Sequence, residues 1–376
     1  MFFSHEKQCF FFFSCFLLSG VVVVRKLKGM PVGKYGKWVD LGPSTEAVAS
    51  PVVRVVAIPQ AGMGAWCFHG WQAKLPAGVE LLPIELPGRN SRMGEAKAEN
   101  MRACVTDMKS GLASVLASPT PYVLLGHSLG ALMAYELACE TKPLALVVSG
   151  TRAASLSSLD HDVDREAPSL SELDSRDFWH HFERRYGSNP DLQSEGVKRY
   201  VEPMLRADFK LLETYEWTPK KQLRAPIVAC AARGDDRVAP DQLQKWADHT
   251  EASFDTKYFD AKPFPWSTPH RYLVESPDEF IQFLGAFCLD LLKASSPSPS
   301  NAVNPGGGAY VVASKKGALV RTEASLDSSE VDILQPGTRV SVVEVREPGA
   351  AGKKPRARIS DPVEGWLSCH LLAPTP

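Results

Sequence analysis

A chain of 376 residues that is 44% hydrophobic, 23% charged and 9% aromatic has material for one large globular domain and a small one beside it. Its formal net charge of -1 argues against a nucleic-acid binder driven by bulk positive charge. The eight cysteines include no Cys-x-x-Cys pair, which argues against a zinc ribbon or redox dithiol; most lie in apolar runs, as free thiols of a reducing compartment do.

Cys9 to Val24 is an unbroken apolar run followed by Arg25-Lys26-Leu27-Lys28. Its sixteen residues would reach only about 24 Å as a helix, short of the ~30 Å hydrocarbon core. The positive charge follows the run, whereas a signal peptide carries it in front. By the positive-inside rule such an anchor would hold the main domain on the cytoplasmic side. Three readings stay open: a marginal anchor, part of an organelle-targeting leader, or untranslated sequence ahead of Met30. The last two are favoured together, because the fold that follows requires nothing before residue 50. The expected location is the cytoplasm, or an organelle if the N-terminus is a leader, with membrane contact only if residues 9–24 are retained.

Val52 to Ile58 reads as a strand ending in Pro59-Gln60-Ala61-Gly62-Met63-Gly64, with Trp66, Phe68 and Trp71 beyond. Val79 to Ile84 is a second strand, closed by Leu86-Pro87-Gly88-Arg89, and residues 96–117 read as an amphipathic helix. The strand from Tyr122 runs into Gly126-His127-Ser128-Leu129-Gly130, and Ala131 to Cys139 is helical in spacing. Leu144 to Ser149 is the next strand, ending in Gly150-Thr151-Arg152. This alternation predicts a parallel sheet covered on both faces. From about Asp164 to Trp217 the pattern is helical, charged and aromatic, and predicts a lid over the site. Within it His180 and His181 point about 100° apart on a helix, so they read as lid surface, and no metal site is expected.

The sheet resumes with Ile227 to Ala232, ending in Arg233-Gly234-Asp235-Asp236. Ala239 to His249 reads as a helix, Thr256 to Phe259 as a short strand, and a proline-rich loop precedes His270. Pro277 to Leu292 is an amphipathic terminal helix. Residues 294–308, rich in Ser, Pro and Gly, cannot build a core and mark a linker. Short strand-like pieces separated by turns then predict a small all-β barrel over 309–376. The expected domains are a leader at 1–49, a catalytic domain at 50–293, the linker, and the barrel.

Gly-x-Ser-x-Gly between a strand and a helix is the setting of a nucleophile elbow, because the turn is too tight for Cβ atoms beside the serine. Ser128, Asp235 and His270 follow the chain order of an α/β-hydrolase triad, with the acid at a strand end and the histidine in the loop after the next strand. His270 would take the Ser128 proton and return it to the leaving group, and a carboxylate would fix the imidazole tautomer. Asp235 and Asp236 are adjacent, and only one can fill that role. The oxyanion hole would use two backbone N–H groups, one from Leu129 and one from the loop after the first strand, with Ala61 the candidate and Gln60 next.

These stretches resemble the type II thioesterases that accompany polyketide and nonribosomal peptide synthases, relatives of the medium-chain fatty-acyl thioesterases. The resemblance runs over residues 52–290 and rests on Pro59-Gln60-Ala61-Gly62, Leu86-Pro87-Gly88-Arg89, Gly126-His127-Ser128-Leu129-Gly130-Ala131, Val148-Ser149-Gly150 with Arg152, and Leu205-Arg206-Ala207-Asp208-Phe209. It places the acid on Asp235. The chain departs from the pattern at Met63, where glycine is usual, at Asp236, where proline is frequent, and in a longer loop around Lys262 to Trp266. The resemblance implies hydrolysis of an acyl thioester on the phosphopantetheine arm of an acyl or peptidyl carrier protein, with no cofactor beyond that arm. Phe178, Trp179, Phe182, Phe209 and Leu212 would line an apolar acyl channel. Arg184, Arg185, Lys198, Arg199, Lys220 and Lys221 would form a basic rim for an acidic carrier, or a solvated lid surface. A general carboxylesterase or lipase on the same fold, and a catalytically inactive scaffold, are the rival readings. The C-terminal segment is similar to a bacterial Src-homology-3-like module, through Leu334-Gln335-Pro336-Gly337-Thr338-Arg339-Val340 and Gly365-Trp366-Leu367.

Overall fold

Five runs rich in Val, Leu, Ile and Ala and a sixth, alternating run pair into one sheet: β1 (Val53–Ile58), β2 (Val79–Pro83), β3 (Tyr122–His127), β4 (Ala145–Ser149), β5 (Ile227–Ala232) and β6 (Phe254–Phe259). Their order is β2-β1-β3-β4-β5-β6, and every neighbouring pair is parallel. The computed structural model describes residues 34–42, 47–262, 266–295, 308–346 and 355–375. The apolar run 9–24 and most of the expected linker lie outside these residues. The chain divides into two compact units at residues 282 and 283.

Strands β1 to β5 are buried at every position, as expected where helices cover both faces and the sequence has no polar alternation. The edge strand β6 alternates, with its outer positions in solvent. Helices α1 (Met101–Gly111), α2 (Ala113–Leu116) and α3 (Leu129–Cys139) follow the strands they serve. Asn100 caps α1 by accepting the Ala103 N–H at 3.0 Å. Helix α3 is apolar on every side except at Glu136 and is correspondingly buried. The lid is α4 (Ser175–Tyr186) and α5 (Glu195–Glu213), with short 3-10 turns before and between them. Then come α6 (Pro240–Gln244), α7 (Tyr272–Glu275) and α8 (Asp278–Ser295). Among the described residues no helix is long and apolar enough to cross a membrane, and the six described cysteines are free thiols.

The expected start of the domain at residue 50 falls too late. Tyr35, Trp38 and Val39 are buried in the main core, and Val39 bridges Ile84 beside the edge strand β2. The Tyr35 hydroxyl donates to both carboxylate oxygens of Glu80 at 2.7 and 2.8 Å, and the Arg54 guanidinium pairs with the same group at 3.0 Å. Trp38 fills the space that Gly111 leaves open, where an added Cβ would stand 1.9 Å from the indole. A sheet edge that would otherwise be bare is covered in this way. Its sequence signal is weak, because the segment is too short to show a period.

The second unit carries β7 (Gly308–Val312), β8 (Ala318–Arg321), β9 (Glu330–Leu334), β10 (Arg339–Arg346), β11 (Arg356–Asp361), β12 (Gly365–Ser368) and β13 (Leu372–Pro374). They form one antiparallel sheet in the order β13-β7-β10-β11-β12-β8-β9. Val312, Val320, Val340, Ile359, Leu367 and Leu372 make its core. This is an all-β module. The sequence reading had no piece for β13, which is three residues long and ends in proline.

Candidate active site

Strand β3 delivers Ser128 to the turn before α3. The serine has φ 53° and ψ -117°, a left-handed strain of the order of 1–3 kcal/mol for a residue with a side chain. Its neighbours show why the turn admits only glycine: a Cβ on Gly126 would lie 2.0 Å from the Gly130 carbonyl oxygen, and one on Gly130 would lie 2.2 Å from that of Ile58. The Ser128 N–H donates to the Ser149 carbonyl at 2.8 Å, and the Ser128 carbonyl accepts the Ala131 N–H at 3.0 Å.

Asp235, at the end of β5, and His270, just before α7, are both buried and bonded, with Nδ1–H of His270 donating to Oδ2 of Asp235 at 3.0 Å. That bond leaves Nε2 free to take a proton. Burial alone would raise the Asp235 carboxyl, but His270 and the Arg237 N–H, 3.0 Å from Oδ1, hold it below its ordinary value. Asp236 points to solvent. Ser128 and His270 line one cavity of about 90 Å³ under the lid.

The peptide of His270 is itself held. His127 is fully buried, its Nε2–H donating to the His270 carbonyl at 2.8 Å while Nδ1 accepts the Ser149 hydroxyl at 2.8 Å. The Tyr272 hydroxyl lies 2.7 Å from the Ser149 oxygen and completes the chain. Burial, with the nearby His270, pushes His127 down to about 3, so it stays neutral and keeps an acceptor nitrogen. Within the elbow motif the sequence assigns His127 no role of its own. A polar residue closing an otherwise apolar strand was the available signal.

Three separated stretches meet at the loop after β1, the candidate oxyanion loop. Arg89 forks onto Asp208 with Nη1 at 2.8 Å and Nη2 at 2.6 Å, and Nη1 also donates to the Met63 carbonyl at 2.7 Å. Asp208 accepts the Gly62 N–H at 2.7 Å. Gly62 has φ +76°, and a Cβ there would stand 2.4 Å from Leu205 of the lid. An ion pair buried on both sides therefore sets the turn that carries Ala61. The Leu129 N–H is the first of α3 and has no intrahelical acceptor by position. Asp208→Ala is expected to cost about 3–5 kcal/mol, because Arg89 would remain buried and unpaired. Urea unfolding measures that loss, and kcat at a temperature where the variant stays folded shows whether the loop has loosened.

Glu85 lies beside the same loop, accepting from Asn90 Nδ2 at 3.1 and 3.3 Å. Burial raises its carboxyl from 4.5 to about 7. Between those values the unfolded chain has released this proton and the folded chain has not, so stability falls as pH rises across the window. Glu85→Gln is expected to remove that fall and to stabilise the protein at pH 8 by roughly 2–3 kcal/mol. Unfolding midpoints of both proteins at pH 5 and pH 8 check it.

Two expectations about the lid are corrected. Phe178, Trp179, Phe182 and Phe209 pack with Leu170 and Leu205 into the lid's own core; of the five aromatic and aliphatic candidates only Phe209 and Leu212 reach the cavity. Two helices standing off a sheet need a core of their own, and these side chains supply it. The basic rim is largely neutralised: Arg184 and Arg185 face Asp164, Lys198 faces Glu183 and Lys220 pairs with Glu136. Among the described residues no group of three His, Cys, Asp or Glu side chains is arranged to hold a metal ion.

A parallel sheet with the elbow at the end of β3, and with Asp235 and His270 on loops at the same sheet edge, is the α/β-hydrolase fold. Residues 53–288 match the thioesterase domain family, well over half of the chain, and the protein belongs to that family and is a thioesterase. It is 32% identical over 215 residues to the thioesterase PikA5 of Streptomyces venezuelae, covering 54% of this chain and 71% of that one. It is 28% identical over 242 residues to the gramicidin S biosynthesis protein GrsT of Aneurinibacillus migulanus, covering 62% and 87%. Among solved structures, the RedJ thioesterase from the prodiginine pathway of Streptomyces coelicolor superposes with a TM-score of 0.55 at 28% identity, over 66% of this chain and 90% of that one.

Proposed function

We propose that the protein hydrolyses acyl thioesters held on the phosphopantetheine arm of an acyl or peptidyl carrier protein, as an editing or release enzyme. The observation that supports this most directly is the Asp235–His270 bond beside the cavity that Ser128 lines. Ser128 Oγ attacks the thioester carbonyl as His270 Nε2 takes its proton. The N–H groups of Leu129 and Ala61 receive the oxyanion. The tetrahedral intermediate expels the pantetheine sulfur, a good leaving group that His270 protonates. Water, deprotonated by His270, then releases the free acid and restores Ser128. No cofactor takes part beyond the arm that carries the substrate. The relatives named for gramicidin S and prodiginine pathways support a carrier-bound substrate, and the all-β unit is proposed as a Src-homology-3-like module for a protein partner.

Turnover of acyl-carrier thioesters, acyl-CoA and p-nitrophenyl esters by the full chain tests the reading. The expected order puts carrier thioesters first. A preference for oxygen esters would make the protein a general carboxylesterase, and no turnover of any would leave a binding scaffold.

A further inference from the structure

The cavity shared by Ser128 and His270, about 90 Å³, is well below the ~300–1,000 Å³ of pockets for drug-sized ligands. One side of its wall is apolar, from Leu132, Leu159, Tyr186, Phe209 and Leu212, and the other is charged. Arg152 pairs with Asp162 at 2.8 Å, Asp162 with Arg237 at 3.0 Å, Arg237 with Asp164 at 2.5 Å, and Asp164 with Arg185 at 3.3 Å. That chain holds three guanidinium groups against two carboxylates. A further wall carboxylate, Glu213, is occupied by the N–H of Leu170 at 2.5 Å and by the N–H and hydroxyl of Ser171 at 3.1 and 2.5 Å. Arg165, exposed to solvent at the cavity's edge, lines the same cavity and has no carboxylate partner among the described residues. Its own N–H bonds the Asp162 carbonyl at 3.2 Å, which ties its backbone to the network.

We infer that this cavity takes a short acyl group ending in a carboxylate, a dicarboxylic acid half-thioester, and that Arg165 reads the free carboxylate. The inference rests on the thioesterase reading above and narrows its substrate. A long alkyl tail would fill the apolar side of so small a cavity within a few methylenes, and those beyond would meet ion pairs and displace their water. A carboxylate would add the negative charge that the wall lacks and accept a charge-assisted fork from an arginine whose donors are otherwise free. The phosphate of a pantetheine arm lies many bonds from the sulfur, too far to share so small a cavity with Ser128. The anion is therefore on the acyl side.

The test uses N-acetylcysteamine thioesters, which carry no phosphate, with glutaryl, pentanoyl and octanoyl acyl groups and the full chain. The expected kcat/KM for glutaryl exceeds that for pentanoyl and octanoyl by about ten-fold or more, chiefly through KM, as one charge-assisted hydrogen bond implies. Arg165→Gln brings the glutaryl-to-pentanoyl ratio near one, and Arg165→Lys restores part of it. Because the readout is a ratio within one protein, partial loss of folded enzyme does not disturb it. Glutarate inhibiting pentanoyl turnover more strongly than pentanoate does gives the same answer without a variant. Faster pentanoyl or octanoyl turnover by the unaltered protein, or an unchanged ratio in Arg165→Gln, overturns the inference and leaves the thioesterase reading standing. No turnover of any of the three brings down both.

Discussion

Replacing Ser128 by alanine is expected to abolish covalent labelling by a fluorophosphonate and to lower turnover by about 10⁶-fold, the loss typical when the nucleophile of such a triad is removed. The substitution deletes a single oxygen. Alanine must still adopt φ 53°, but the surroundings that impose it are intact: Gly126 and Gly130 remain, and the N–H of residue 128 still has the Ser149 carbonyl. Thermal unfolding should therefore change little, which separates loss of chemistry from loss of fold. Labelling that persisted in the variant would put the nucleophile on another side chain.

Asp235→Asn is expected to reduce kcat by about 10⁴-fold, while Asp236→Asn stays within a few-fold. The carboxylate accepts from His270 Nδ1 through one oxygen and from the Arg237 N–H through the other. An amide turned to satisfy Arg237 presents its NH₂ to the imidazole and favours the tautomer with its proton on Nε2, the atom proposed to receive the serine proton. Asp236, exposed beside it, has no such partner among the described residues. Steady-state kinetics of the two variants decides the matter. The reverse ranking would move the acid by one residue, and small equal losses would remove the acid from the reading altogether.

The sheet was legible because five of its strands are buried on both faces and so appear as uninterrupted apolar runs, each followed by a turn that glycine or proline marks. The elbow was legible for a steric reason, since a Cβ at Gly126 would stand 2.0 Å from the Gly130 carbonyl oxygen and only glycine fits there. That Asp235 and His270 come together followed from chain order and strand-end placement. The rest depends on distances that sequence spacing does not encode. Arg89 and Asp208 each stood out within a motif, yet nothing linear says that they pair across 119 positions. Aromatic residues on α4 look the same in sequence whether they face a substrate or one another. Arg152 was noted for its motif and Asp162, Asp164 and Arg237 for nothing; only the folded chain shows them in one cavity wall.

The Arg89–Asp208 pair also has a consequence for how this sequence can diverge. Loss of either partner strands the other's charge in the interior, so each single replacement is far worse than replacing both with apolar residues of matching volume. Asp208 additionally holds the Gly62 N–H, which an apolar residue cannot do. A lineage could leave this arrangement only by changing both positions and supplying a new acceptor for that N–H, a route whose intermediates are all impaired. The positions should therefore be inherited as a unit. In the laboratory the same linkage would appear as epistasis, with the doubly apolar protein unfolding at higher urea than either single variant while the Gly62 loop, proposed to hold the oxyanion, and with it kcat, stays deficient.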